Sequence, residues 1–122
     1  NLRAVTIVSV DELVEISKEM CTEILPEDLE ANIVLSGIPN LTKMPAGTFV
    51  KFPRNAILYV TAENLPCVIP SQNIMKRGVD TNEAIKFAKS AMGKRGLTAM
   101  PFASGFIKVG DEVEIYKPQS FE

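Results

Sequence analysis

Histidine is absent from the 122-residue sequence. Its absence excludes catalysis of the Ser-His-Asp and Cys-His types, and it excludes every metal site that depends on imidazole ligands. The sequence also lacks an apolar run of about 18 residues and a basic segment followed by a short apolar one, so it predicts neither a membrane span nor a secretory signal. We therefore expect a cytoplasmic protein.

The sequence has no strong excess of charge of either sign. It contains 13 Lys and Arg against 15 Asp and Glu, a net charge of −2, with a pI near 5.2. No general electrostatic field favours nucleic acid or an anionic membrane, so we expect neither as a partner, and any anion site must be local. The length predicts a single domain spanning residues 1–122.

The chain has only two cysteines, Cys21 and Cys67, and they form no C-x-x-C pair. We expect no disulfide in the cytosol. Cys21 falls near the last turn of a predicted helix, beside its apolar stripe, and we interpret it as a small buried hydrophobic residue. Cys67 lies between Pro66 and Pro70, which restrict the backbone and disfavour a helix, so we expect its thiol on a stiff loop. A buried structural cysteine is the alternative interpretation of Cys67.

Hydrophobic periodicity predicts more strands than helices. Strands are predicted at residues 3–10, 32–38, 48–52, 56–61, 97–102, 106–109 and 112–116, and the last three form a closing β-meander. Helices are predicted at 11–20 and from Asp80 to the glycine at 93, each with a capping-box pattern at its start. We expect the basic pair Lys76 and Arg77 to lie on a solvated surface. The fold class is mostly β (α+β), a small barrel-like domain with two principal helices.

We expect the barrel, and not the helices, to supply the main core. The residues that we expect to be mostly buried are Ile33, Leu35, Phe49, Ile57, Val60, Leu97, Ile107, Val109, Val113 and Ile115.

A short basic turn follows the second predicted helix. Its sequence is Gly93, Lys94, Arg95 and Gly96. Backbone N–H groups and positive charge occur together in such a turn, and an anionic ligand needs both. A pair of solvated turn residues is the alternative.

Four segments resemble one known family when they are taken in order. They are NIVLSG at 32–37, PC at 66–67, GKRGL at 93–97 and G-x-I-x-V-G-D-x-V at 105–113. Together they are similar to the MOSC domain, which is found at the C-terminus of molybdenum-cofactor sulfurases. The resemblance covers nearly the whole chain and implies a β-barrel-like fold.

The resemblance also implies roles for particular residues. The family's motif cysteine, here Cys67, carries sulfur as a persulfide or in some members ligates molybdenum. The positions that match the family's contacts to the molybdenum cofactor are Asn32, Lys94, Arg95 and Gly96. Glu30 and Ala31 stand where members often carry arginine, which is a departure from the family pattern.

Three functions are compatible with these residues. The first is a sulfur carrier or transferase component linked to the molybdenum cofactor, with a sulfur-donating enzyme or a molybdenum enzyme as partner. Pyridoxal phosphate then belongs only to the partner protein. The second is a non-catalytic module that binds an anion or a protein. The third is a molybdenum-dependent reductase of N-hydroxylated compounds with Cys67 as a metal ligand. For the first function we predict that Asn32, Cys67, Lys94 and Arg95 converge on one cleft.

Overall fold

The structure is a computed structural model that describes residues 4–65 and 67–119. Its strands are β1 (Val5–Ser9), β2 (Ile33–Leu35), β3 (Phe49–Lys51), β4 (Ile57–Glu63), β5 (Leu97–Ala103) and β6 (Glu114–Tyr116). Its α-helices are α1 (Val10–Met20), α2 (Ile69–Lys76), α3 (Thr81–Ala84) and α4 (Phe87–Ser90), and short 3-10 helices occupy Pro26–Leu29 and Leu41–Lys43. Among the described residues, none of the helices has the length and apolar content of a membrane span.

The six strands form one sheet in the order β2-β1-β5-β4-β3-β6. Only β1 and β2 are parallel, and every other neighbouring pair is antiparallel. The sheet curls into a half-barrel, which confirms the predicted α+β barrel-like fold. Ile7 lies opposite both Ile33 and Leu97, and Leu97 lies opposite Glu63. The end of β4 and the beginning of β5 therefore meet beside the centre of β1.

The first helix begins where the sequence predicts it. The hydroxyl of Ser9, at the end of β1, accepts a hydrogen bond from the backbone N–H of Glu12 and so caps α1. Ser at this position satisfies a donor that has no partner within the helix. The helix ends at Met20, and Cys21 adopts a left-handed conformation with a φ of 51°.

Buried residues form two cores. One lies against the sheet around Ile7, Val50 and Leu97. The other is helical and contains Ile16 and Phe87, both with no exposed surface. The helices therefore supply a second core that is comparable to the core of the barrel. The prediction that the barrel supplies the main core was wrong because it left out this helical core.

The predicted core residues fall into three groups. Leu35, Val60 and Leu97 are buried, as predicted. Ile33, Phe49, Ile57, Val113 and Ile115 are half-buried. Ile107 and Val109 are exposed, so their predicted burial was wrong.

The segment 106–109 is not a strand, and the predicted meander does not form. Phe106 makes only an isolated bridge with Arg54, and β6 pairs with β3 instead. The physical reason is a local turn, because the carboxylate of Asp111 accepts the N–H of Lys108 and also binds Arg54. The backbone of this segment is held by that turn instead of by a neighbouring strand.

Two helix predictions also need correction. Helix α2 begins at Ile69, within the stretch predicted to be a loop, and Pro70 lies in its first turn. Proline is tolerated there because the N–H that it lacks would have no partner within the helix. The second predicted helix is divided into α3 and α4, with Ile85 between them in a turn.

Candidate functional site

Cys67 lies in the short segment between β4 and α2. The cysteine is exposed, and the structure gives it no disulfide partner. The backbone N–H of Ile69, the first residue of α2, lies near its sulfur and helps to lower the pKa of the thiol. The sequence predicts a thiol on a loop after a strand, and the structure places it at the end of that loop, beside the beginning of α2.

The side chain of Arg95 fixes this segment from beneath. Only 3% of Arg95 is exposed. Its Nη1 donates to the carbonyl oxygen of Leu65 at 2.7 Å, and its Nη2 donates to the sulfur of Cys67 at 3.7 Å. Its Cζ atom lies 5.7 Å from the centre of the buried Phe87 ring. These contacts hold the planar guanidinium in one orientation, with one edge toward the thiol.

The charge of Arg95 has no carboxylate partner within residues 4–65 and 67–119. Its Nε is buried and lacks a hydrogen-bond acceptor in the same ranges. Because a buried cation is costly unless a negative group compensates it, Arg95 favours the ionised form of the neighbouring thiol. The Arg95 hydrogen bond, followed by the Ile69 N–H, lowers the pKa of Cys67 below its ordinary value, and partial burial and then the charge of Glu30 oppose this.

The side chain of Lys94 contacts α1, and no contact with this thiol is present among the described residues. Its Nζ lies 3.8 Å from a carboxylate oxygen of Glu15 on α1, and its backbone N–H donates to the carbonyl of Ala91. The two adjacent cations therefore serve different parts of the molecule. The joint anion-binding role of Lys94 and Arg95 stays a prediction, and both side chains already have internal partners.

Gly96 is enclosed by backbone. It has a φ of 86°, and a Cβ atom there would overlap the carbonyl oxygen of Ile7. Its N–H donates to the hydroxyl of Thr42 at 2.8 Å, and its carbonyl oxygen accepts from the N–H of Asn64 at 3.0 Å. The structure thus accounts for glycine at this position by close packing. The role of Gly96 in cofactor binding stays a prediction.

Asn32 extends the pairing of β1 with β2. Its N–H donates to the carbonyl of Thr6, and its side-chain oxygen accepts the N–H of Thr6 at 2.8 Å. In the described residues it makes no hydrogen bond with Cys67 or Arg95. The structure therefore brings Cys67 and Arg95 together, as predicted, whereas Asn32 and Lys94 are each bonded elsewhere.

Glu12 and Thr42 are buried polar residues near the basic turn at residues 93–96, and neither was identified from the sequence as part of the site. The carboxylate of Glu12 accepts the hydroxyl of Thr42 at 2.7 Å and the Thr42 N–H at 3.3 Å. Burial raises the pKa of Glu12, and the hydrogen bonds from Thr42 oppose that rise. The capping-box pattern correctly indicated the contact between the Glu12 N–H and Ser9, but it gave no sign that the carboxylate turns inward.

One further interpretation was wrong, and another was incomplete. Cys21 is exposed. Helix α1 ends at Met20, and the left-handed conformation of Cys21 turns that residue outward. Lys76 and Arg77 are both exposed, as predicted. The guanidinium of Arg77 also donates to both carboxylate oxygens of the buried Asp28 and to the carbonyl of Glu23. That pair ties α2 to the 3-10 helix at Pro26–Leu29.

No cluster of three or more cysteine, aspartate or glutamate side chains suits a metal ion in the part of the chain that the structure describes. In those ranges Cys67 therefore belongs to no such cluster. A thiolate is a soft donor and suits molybdenum better than it suits a hard cation.

The chain is similar to known proteins both in sequence and in structure. A family model described as "MOSC domain" matches residues 1–114. The curated protein "Putative metal-sulfur cluster biosynthesis proteins YuaD" of Bacillus subtilis (strain 168) is 37% identical over 121 residues, which cover 98% of this chain and 63% of that protein. The crystal structure of the YuaD protein from Bacillus subtilis has a TM-score of 0.89 at 36% identity, over 98% of this chain and 66% of that one. The chain thus spans less than two thirds of the length of this curated relative.

Proposed function

The chain belongs to the MOSC domain family, and on that premise we propose that it is a sulfur carrier in which Cys67 accepts a sulfur atom and passes it on. The observation that carries the proposal is the contact of 3.7 Å between Arg95 and the sulfur of Cys67. MOSC domains are associated with the molybdenum cofactor, and the relative is named for metal-sulfur cluster biosynthesis. Both associations involve sulfur chemistry.

The chemistry requires a thiolate. The Cys67 thiolate attacks the outer sulfur of a persulfide on a donor, R–S–SH, and a new S–S bond forms as the donor's S–S bond breaks. The donor leaves as the thiolate R–S⁻, and the proton stays on the transferred sulfur, so the product is a persulfide on Cys67. The exchange needs no external oxidant or reductant. Arg95 contributes by increasing the fraction of Cys67 that is ionised at neutral pH.

The surface around Cys67 favours a protein as the sulfur donor. Leu65 is 71% exposed and Val68 is 67% exposed, on either side of the exposed thiol. Exposed apolar side chains that surround a reactive group are typical of surfaces that bind another protein. We therefore propose a partner that presents its persulfide to this surface. If pyridoxal phosphate generates that persulfide, it is bound by the partner.

The basic turn at residues 93–96, in the conformation that the structure shows, does not fit the phosphate of the molybdenum cofactor. Among the described residues, the N–H groups of Lys94 and Gly96 both bond within the protein, and the Lys94 ammonium lies near Glu15. The soft thiolate of Cys67 does fit a molybdenum centre. The sulfur step above accordingly involves only Cys67 and Arg95 and makes no use of the cofactor.

Mass spectrometry of the intact protein tests the proposal. The protein is exposed to glutathione persulfide, and the products are trapped by alkylation. We expect a Cys21→Ser variant to gain the mass of one sulfur atom and a Cys67→Ser variant to gain none. Equal sulfur uptake by the two variants, or uptake by neither, would overturn the assignment. Uptake by neither would favour the alternative, a non-catalytic module that binds a protein through the same apolar surface.

A further inference from the structure

We infer that Thr42 and Glu12 are positioning residues for the pair formed by Cys67 and Arg95, and that they act by fixing Gly96. Gly96 directly follows Arg95 in the chain and is hydrogen-bonded to the segment that carries Cys67. The inference rests on the proposed function, because it concerns the thiolate that this function uses.

Gly96 joins the two parts of the site through its backbone. Its carbonyl oxygen accepts the N–H of Asn64 at 3.0 Å, at the beginning of the segment that leads to Cys67. The next residue of that segment, Leu65, receives a hydrogen bond of 2.7 Å from Arg95. A shift of Gly96 would therefore move Arg95 and the cysteine segment relative to each other.

Thr42 holds Gly96 from the opposite side. The hydroxyl of Thr42 accepts the Gly96 N–H at 2.8 Å and donates to Oε1 of Glu12 at 2.7 Å. A hydroxyl has a single hydrogen, so donation to the carboxylate leaves its lone pairs for the glycine N–H. Glu12 thus determines the orientation of the hydroxyl, and the hydroxyl determines the position of Gly96. Thr42 and Glu12 are only 3% and 2% exposed, so water does not replace these bonds freely.

The surroundings leave Gly96 little room to move. Its α-carbon packs so tightly on β1 that a Cβ atom would overlap the carbonyl oxygen of Ile7. With Ile7 on one side and Thr42 as the acceptor of its N–H, Gly96 has one well-defined position. A guanidinium that must meet both a carbonyl and a thiol depends on such a fixed backbone.

The test is the pH profile of Cys67 alkylation by iodoacetamide. Every protein carries Cys21→Ser, so that Cys67 is the only thiol that reacts. Thr42→Val keeps the shape of the side chain and removes the hydroxyl, whereas Thr42→Ser keeps the hydroxyl. Glu12→Gln keeps the size but replaces one carboxylate oxygen with an NH2 group, which cannot accept the Thr42 N–H. Glu19→Gln is the matched control, an exposed glutamate on the same helix. Circular dichroism verifies that each variant is folded.

We expect Thr42→Val to move the alkylation profile to higher pH and to lower the rate at neutral pH several-fold. Glu12→Gln should move it in the same direction, whereas Thr42→Ser and Glu19→Gln should follow the wild-type curve. A wild-type profile for folded Thr42→Val overturns the inference. If Thr42→Val does not fold, Glu12→Gln decides by the same criterion.

Arg95→Ala separates this inference from the proposed function. A profile unchanged by Arg95→Ala shows that the thiolate does not depend on Arg95, and the proposed function loses its main support. A profile shifted by Arg95→Ala but not by Thr42→Val leaves the proposed function standing and removes only the positioning role of Thr42 and Glu12.

Discussion

The guanidinium of Arg95 donates to the sulfur of Cys67 at 3.7 Å, although 28 positions separate the two residues in the sequence. Lys94, the residue before Arg95, points instead toward Glu15 on α1. Two adjacent cations therefore act at different places, one on the thiol and one on a helix. This division explains why the basic turn should be tested one residue at a time.

The contact with Arg95 predicts an unusually acidic thiol at Cys67. The midpoint of Cys67 alkylation should lie below the pKa of an ordinary cysteine thiol. Arg95→Ala should raise this midpoint, and Arg95→Lys should give an intermediate curve, because an ammonium keeps the charge but not the planar fork. Peptide mapping after alkylation at each pH provides the measurement, with Cys21 as the internal control. Identical curves for the three proteins would show that the contact does not govern ionisation.

The two glycines that flank the basic residues should respond differently to substitution. Gly93 and Gly96 both have positive φ angles, but only a Cβ at Gly96 would overlap the backbone, at Ile7. We expect Gly93→Ala to cost about 1–2 kcal/mol from the left-handed conformation alone. Gly96→Ala should cost more, about 3 kcal/mol or above, since the backbone of β1 must also move. Urea unfolding of the two variants checks the difference, and equal losses would contradict the packing argument.

The ion pair between Arg77 and Asp28 should stabilise the helical core. Asp28 is buried, and Arg77 supplies two hydrogen bonds to its carboxylate. Because Arg77 is itself about one third exposed, solvent screens part of the interaction, and we expect Arg77→Ala to cost about 1.5–3 kcal/mol. Lys76→Ala, at an exposed neighbouring position, should cost less than about 0.5 kcal/mol. The comparison is made by denaturant unfolding, and a similar small effect of both changes would assign Arg77 to the solvated surface.

Glu12 should make the stability of the protein depend on pH. Its pKa in the folded state is raised above the ordinary 4.5 by burial. At pH values between 4.5 and the raised pKa, the folded state binds more protons than the unfolded state. The free energy of unfolding therefore falls as the pH rises through this range. Subtracting the curve of Glu12→Gln from that of the wild type cancels the other titrating groups. We expect the difference to fall with rising pH above 4.5, and a flat difference would show that Glu12 titrates normally.

The sequence allowed the strands around Ile7, Ile33 and Leu97 to be predicted, because their apolar residues must be buried together. It also allowed the start of α1 to be predicted from Ser9, since capping is a local interaction. These features depend on a few neighbouring residues. They could be recognised without knowledge of the tertiary structure.

Other features depended on contacts that are distant in sequence. The segment 106–109 alternates like a strand, but Asp111 and Arg54 hold it in a different conformation. Pro70 suggested a loop, although a proline in the first turn is compatible with the helix that forms. Lys94 contacts Glu15 and Arg95 contacts the cysteine segment, and neither partner is near them in the sequence. Side-chain direction at the candidate site therefore required the structure.

The ends of the sheet have a consequence for self-association. The sheet ends in β2 and β6, which are three residues each, and neither edge pairs with a further strand in the described ranges. Unpaired strand edges can recruit copies of the same chain and start aggregates, but short edges recruit them poorly. Pro118 follows β6 closely and has no N–H to offer an incoming strand. The half-barrel should therefore resist edge-to-edge polymerisation even in concentrated solution.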